Sequence, residues 1–364
     1  MKMENSEKMI NPALTFTNNV GKAIDDAVGT MHPSSVFVLV DSNTASFVLP
    51  RMQAESTAVA NATVIEVESG EQHKSLDTLA TIWKRLGDNG ATRRSLLINL
   101  GGGVITDMGA FAASTFKRGM RFINVPTTLL AAVDASVGGK TGINFNSLKN
   151  EVGLFSLSEL TVISTTFFRT LSSHEMLSGY AEMLKHAMLS SREMVAKLTR
   201  YDITNYDSDS LLTLLEESVA VKCKYVAADF TESGLRKALN LGHTFGHAFE
   251  SLALQRHTPI PHGYAVAFGM VVALVLSRMK LNFPSADMMH YVAYVAEHYG
   301  SFPITCGDYP QLLTLMHHDK KNISANEVLC TLLHSIGHVE VSVAATDDDI
   351  TAALDIYRDL LHLP

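Results

Sequence analysis

The chain has 364 residues, of which 46% are hydrophobic, 18% charged and 7% aromatic; that is enough apolar material for sizeable cores in about two domains and excludes disorder as the main state. With 29 Lys and Arg against 37 Asp and Glu the net charge is −8, so the electrostatic footprint of a nucleic-acid partner is missing. Three cysteines, Cys223, Cys306 and Cys330, form no CxxC pair, which argues against a disulfide framework or a thiolate zinc site and suits a reducing compartment.

The N-terminal MKMENSEKMINPALTF has no apolar signal core, and the most apolar stretch, residues 265–277, is short and flanked by polar residues. The expectation is a cytoplasmic protein with no membrane partner. Apolar, β-rich runs at 35–40, 62–67, 95–100, 121–125 and 160–164 predict strands, and residues 76–86 and 104–116 between them predict helices. Near-continuous apolar strands alternating with helices imply a parallel sheet covered on both faces. After residue 172 the period becomes helical, at 173–190, 208–229, 235–255, 263–280 and 285–299, and 327–343 reads as a small hairpin. The expected organisation is an α/β domain over 1–171 and a mainly helical domain over 172–364. Open α/β sheets bind ligands beyond the carboxyl ends of their strands, so a cleft between the domains is the natural place for a site.

The segment LINLGGGVITDMGAF runs strand, triple glycine, helix. Glycines let backbone approach a phosphate, and a helix N-terminus offers free N–H groups and positive dipole. The spacing is GGGxxxD, not the GxGxxG fingerprint, and a glycine turn here is also a common structural feature. Asp41, ending the first strand beside Asn43, suits either a ribose diol or a helix cap. The run VPTTLLAAVDASVGGKTGINFNSLKN carries Asp134, Lys140, Lys149 and Asn150 among small residues, which suits an anion or a solvated loop. It lacks Walker spacing.

In GLRKALNLGHTFGHAFES, Arg236, Asn240, His243 and His247 fall four, three and four residues apart, one polar stripe on a continuous helix. Ala238, Leu239, Leu241, Phe245, Ala248 and Phe249 around it are expected to be buried. Gly242 and Gly246 each weaken a helix by roughly 1 kcal/mol relative to Ala, so close packing or a ligand must require them. His243 and His247 at i, i+4 make a metal-gripping pair by spacing alone. Glu182 and His262 are further candidate ligands. Glu182 shares a helix face with Lys185, either a surface ion pair or, among Tyr180, Ala181, Met183, Leu184 and Ala187, a buried one.

Together these motifs resemble the 3-dehydroquinate synthases of the sugar phosphate cyclase superfamily. The matching segments are GEQHKS (70–75), GGGVITD (101–107), FKRG (116–119), VPTTLLAAVDASVGGKTGINF with LKN (125–150), SGYAEMLKHAML (178–189), LNLGHTFGHAFES (239–251) and HGYAVAFGM (262–270). The resemblance implies a Rossmann-like NAD domain, a helical domain holding a divalent metal (Zn, or Co), a small sugar phosphate substrate and a homodimer. It implies Glu182, His243 and His262 as metal ligands, displacing His247 to the substrate. It places NAD against Asp41, Asn43, Glu71, Lys74, Gly102, Gly103, Val104, Asp107, Thr127, Thr128, Lys140 and Lys149, with Phe167 and Thr170 as looser matches. Substrate contacts would come from Arg118, Asp134, Lys140, Lys149, Asn150, Lys185, Lys222, Glu232, Arg236, Asn240, His247 and one of Lys320 and Lys321. The implied reaction takes 3-deoxy-D-arabino-heptulosonate 7-phosphate through transient oxidation, phosphate elimination, re-reduction, ring opening and aldol closure. Other sugar-phosphate cyclases, such as 2-deoxy-scyllo-inosose synthase, and metal-dependent polyol dehydrogenases are the competing readings. One departure stands out: Tyr264 follows His262 and Gly263 where many members have an acidic residue.

Overall fold

The structure is a computed structural model that describes residues 13–146, 148–317 and 327–363. Strands β1 (Leu14–Phe16), β2 (Val36–Asp41), β3 (Thr63–Val67), β4 (Leu96–Gly101), β5 (Arg121–Pro126) and β8 (Leu160–Ile163) form one six-stranded sheet in the order β1-β8-β5-β4-β2-β3. Every pairing in it is parallel. Because side chains alternate along a strand, Phe37 and Leu39 of β2 enter one core with Ile105, Met108 and Phe111, while Val38 and Val40 enter a second core with Ile24, Met52 and Val125. Each side chain of that kind gains about 1.5–3 kcal/mol on full burial, so both sheet faces must be covered by helices. The strands predicted from the apolar runs are present within a residue or two.

Several elements of this unit were not predicted, among them β1 and the short helices Ser42–Phe47, Leu49–Glu55 and Thr57–Ala60. A helix, Val20–Met31, follows β1. The lysine-bearing glycine run folds as an antiparallel hairpin of β6 (Lys140–Phe145) and β7 (Leu148–Phe155). It begins just after a π-helix, Ala131–Ala135.

The chain up to Ser172 and the segment Tyr206–Phe230 make one compact unit; Ser173–Asn205 and the chain from Thr231 make the other. The helix Ser208–Ala228, which the sequence places with the second domain, therefore belongs to the first. Thr165 Oγ1 donates to Ser208 O at 2.9 Å and Lys222 Nζ to Asp134 Oδ1 at 2.5 Å, so its attachments lie on the β8 and π-helix side.

The second unit is mainly helical. Its helices include Ser173–Met188, Arg192–Arg200, His243–Gln255, His262–Leu281, Ser285–His298, Tyr309–His317 and Asp347–Leu360. The expected hairpin is β9 (Val328–Ser335) with β10 (His338–Ala345). The His262–Leu281 helix is long and apolar enough to cross a membrane, but 78% of its most apolar window is buried inside the structure. It is the core helix of this unit. At its far end Ser277 Oγ accepts from the Leu333 backbone N–H of β9 at 3.0 Å.

The stretch 235–255 is not one helix. A 3₁₀ segment, Leu235–Asn240, ends before Gly242, whose φ of 77° is left-handed, and the α-helix starts at His243. Gly246 and Gly269 explain the close crossing onto His262–Leu281: a Cβ on Gly246 would lie 2.8 Å from Ala265 O, and one on Gly269 2.1 Å from Gly242 O. The six apolar residues expected to be buried, Ala238 to Phe249, are all below 9% exposed.

Candidate active site

Three helices of the second unit deliver one polar side chain each to a common point. Glu182 comes from the middle of Ser173–Met188, while His243 and His262 each open the first turn of their own helix. Glu182 Oε1 lies 3.5 Å from His243 Nε2 and 3.5 Å from His262 Nε2, and the candidate ligand atoms of the three residues all lie within 4.8 Å of one another. Glu182 is fully buried, and its other oxygen pairs with Lys185, itself 1% exposed. The ion pair is buried, not superficial.

The second nitrogen of each imidazole fixes its tautomer. His243 Nδ1 lies 3.2 Å from Leu241 O, which can only accept, so the proton sits on Nδ1 and Nε2 presents a lone pair. His262 Nδ1 faces Glu250 Oε2 at 3.4 Å, which sets the same arrangement in the neutral ring. A carboxylate and two imidazole lone pairs thus converge, an unfavourable assembly unless a positive charge sits among them. With protons alone, burial would lower the His262 pKa, but Glu182 and Glu250 outweigh it and push it up to about 10. Burial, aided by Lys185, holds His243 well below its usual range. Two histidines and one carboxylate are a donor set that fits zinc with a fourth position left open. Glu250, which faces His262, was not singled out from the sequence; its signal, an acid one helical turn beyond His247, lay inside a quoted motif.

The four-residue stripe does not survive the break at Gly242. His247 is exposed, yet its ring centre lies 5.3 Å from that of His243 and 5.9 Å from that of His262. It borders the convergent group without belonging to it, so the i, i+4 pair is not the cluster. Arg236 is 1% exposed, and Asn240 Nδ2 donates to Glu232 Oε1 at 3.0 Å.

The first unit gathers its candidates at the carboxyl ends of the strands. Asp41 Oδ1 accepts from the Thr44 backbone N–H at 2.8 Å in a capping box, so it is a helix cap, with Asn43 exposed beside it. Gly102, Gly103 and Val104 open the helix Gly103–Thr115, which has no side-chain cap, and Thr127 N–H bonds Gly101 O at 3.0 Å. A Cβ on Gly102 would come within 3.2 Å of Thr128 Cγ2. Lys74, 4% exposed, reaches Asp107 Oδ2 at 2.6 Å and Asn150 Oδ1 at 2.5 Å. Burial raises the Asp107 carboxyl, and Lys74 offsets this only in part. Asn144 Nδ2 donates to Glu71 Oε1 at 2.8 Å. The Lys222–Asp134 pair stands on the π-helix. Lys140 and Lys149 are exposed on the hairpin.

Three candidates lie apart. Arg118 follows Gly103–Thr115 and precedes β5, which puts it at the opposite end of the strands from Thr127. The Phe167 side chain is packed in the second core, 3% exposed, while Thr170 bonds back to Phe167 O. Lys320 and Lys321 lie outside the described residues. Cys223 sits beside Lys222, but burial raises its thiol and Lys222 only partly counters that.

The family model for the 3-dehydroquinate synthase N-terminal region matches residues 64–178, and that for the C-terminal region matches residues 179–322. A curated 3-dehydroquinate synthase from Parabacteroides distasonis is 46% identical over 351 residues, 96% of this chain and 99% of its own. The chain belongs to the 3-dehydroquinate synthase family. A 3-dehydroquinate synthase from Leptospira interrogans is 35% identical and covers 88% of each chain. Among solved structures, a 2-deoxy-scyllo-inosose synthase complexed with carbaglucose-6-phosphate, NAD+ and Co2+ superposes with a TM-score of 0.83 at 22% identity, covering 96% of this chain and 99% of its own. A 2-epi-5-epi-valiolone synthase from Streptomyces hygroscopicus with NAD+ and Zn2+ bound gives 0.79 at 24%, covering 95% and 96%.

Those two cyclases share the fold; the sequence likeness at 35–46% is to 3-dehydroquinate synthases. Within the family pattern, Tyr264 is 8% exposed, and its hydroxyl bonds His174 Nδ1 at 2.9 Å.

Proposed function

We propose that this chain is an NAD- and metal-dependent carbon–oxygen lyase that converts 3-deoxy-D-arabino-heptulosonate 7-phosphate into 3-dehydroquinate and phosphate. The observation that carries the reading is the convergence of Glu182, His243 and His262 on one point, beside the buried Lys185, in a chain of this family. When bound, a divalent cation would polarise a substrate hydroxyl and NAD would accept and return a hydride.

The chain's own residues supply the rest. Glu182, His243 and His262 would hold the cation, with Glu250 and Leu241 O keeping the imidazoles turned toward it. In the first unit, the uncapped helix N-terminus at Gly103 and the Lys74–Asp107 pair would hold the dinucleotide. Lys140, Lys149, Lys185, Lys222 and Arg236 would anchor carboxylate and phosphate by charge-assisted hydrogen bonds. Asp134, Asn150, Glu232 and Asn240 would orient those cations and the hydroxyls, and the exposed His247 would pass a proton to or from substrate. On the family resemblance we also propose a cytoplasmic homodimer.

The test is a phosphate-release assay with this substrate, Zn2+ and a trace of NAD. Because the hydride removed is returned, the expected result is phosphate in large excess over NAD with no NADH building up. NADH accumulating with a simple polyol, and no phosphate, would move the chain to the dehydrogenase reading.

A further inference from the structure

The start of the His262–Leu281 helix is unusual. Its N-cap is Pro261, which offers no side-chain hydrogen bond; the Tyr264 N–H reaches Pro261 O at 3.0 Å, but the Gly263 N–H needs a partner elsewhere. The Gly263 N–H finds it on a different helix: Ser178 Oγ accepts it at 3.0 Å in a buried setting. The approach is as close as backbones allow, for a Cβ on Gly263 would lie 1.8 Å from Ser178 O. Ser178 does not act alone. His174, Ser178 and Glu182 are spaced four apart and so share one face of Ser173–Met188. They meet three successive residues: His174 with the Tyr264 hydroxyl, Ser178 with Gly263, Glu182 with His262.

We propose that Ser178 is a positioning residue, whose hydroxyl caps the His262–Leu281 helix from outside and thereby fixes the distance between Glu182 and His262. The proposal rests on the reading of those two residues, with His243, as metal ligands. The cap locks one helix to the other in a single register, and a shift of one residue would carry His262 away from Glu182. Gly263 is the complementary half, since only a residue without a side chain lets the hydroxyl reach the N–H. The Tyr264–His174 bond closes the same seam one step further from the ligands.

The experiment is Co2+ titration of the metal-stripped protein, followed by visible absorption, for the parent chain, Ser178→Ala, Gly263→Ala and His243→Ala. The unfolding midpoint of each metal-free form is measured alongside. Ser178→Ala is expected to weaken Co2+ binding about tenfold, as loss of a supporting partner typically does, and to alter the Co2+ bands. Gly263→Ala, which keeps the hydroxyl but forces the helices apart, should weaken it further. His243→Ala should abolish binding. If His243→Ala abolishes binding while Ser178→Ala and Gly263→Ala bind like the parent with the same bands, the cap is purely structural and the proposal is overturned, whatever happens to the midpoints. If His243→Ala also binds like the parent, the ligand assignment fails and takes the proposal with it.

Discussion

Glu182 and Lys185, one turn apart on the same helix, form an ion pair in which neither side chain is more than 1% exposed. Removing one member of a buried pair strands the other and costs about 3–5 kcal/mol. Lys185→Ala should therefore destabilise the metal-free protein by about that amount in urea unfolding. Saturating Co2+ should shrink the cost, because the cation gives Glu182 a second positive partner. An equal cost with and without metal would contradict a shared site.

His243 and His247 separate the two readings of the HxxxH spacing. His243→Ala should lose metal and turnover together, since three protein ligands are the usual minimum for a catalytic zinc. His247→Ala should keep its metal and lose on the order of 100-fold in turnover, as expected for a proton-transfer group. Metal content by atomic absorption, beside kcat, checks both; loss of metal from His247→Ala would reinstate the spacing-based pair.

The His262 imidazole gives the metal-free protein a pH signature. Its folded pKa is raised from 6.5 to about 10, so the stability it contributes is fully present below about 6.5 and is lost as pH rises through about 10. Metal binding needs the neutral ring and must displace that proton. Unfolding midpoints of the metal-free form should fall across this window, and Co2+ affinity should rise roughly tenfold per pH unit within it. A flat affinity between pH 7 and 9 would count against His262 as a ligand.

Lys74 is the test of the dinucleotide half. Its ammonium reaches both Asp107 and Asn150, and it is nearly wholly buried. Lys74→Ala leaves Asp107 buried with its carboxyl pushed still higher, toward the neutral form. NAD affinity, followed by fluorescence quenching, should drop at least about tenfold, the cost of roughly one charge-assisted hydrogen bond. Unchanged affinity would remove Lys74 from the NAD contacts.

The parallel sheet was legible because its central strands are buried on both faces and read as near-continuous apolar runs; the short, half-buried edge strand β1 was not. The β6–β7 hairpin was not, because every residue of β7 is exposed and no alternation marks it. The stripe through 235–255 misled for a related reason: the apolar period continues across Gly242, and a single left-handed residue re-aims the chain without disturbing the pattern. Glu182, His243 and His262 were candidate ligands by residue type and spacing, but only the family motifs set His247 aside from them. Glu182, His243 and His262 come from three separate helices, and no local period links them. Ser178 and Glu250 stood inside quoted motifs, but what they do depends on which helix lies beside them.

Every residue from Gly263 to Ser277 of the core helix is buried. Such a segment has no free side on which neutral drift can accumulate. A change of volume at any of its positions must be answered by a neighbour on another helix or on β9. Divergence along this helix should therefore proceed by paired substitutions, and engineering that transplants it between relatives must carry its surroundings with it.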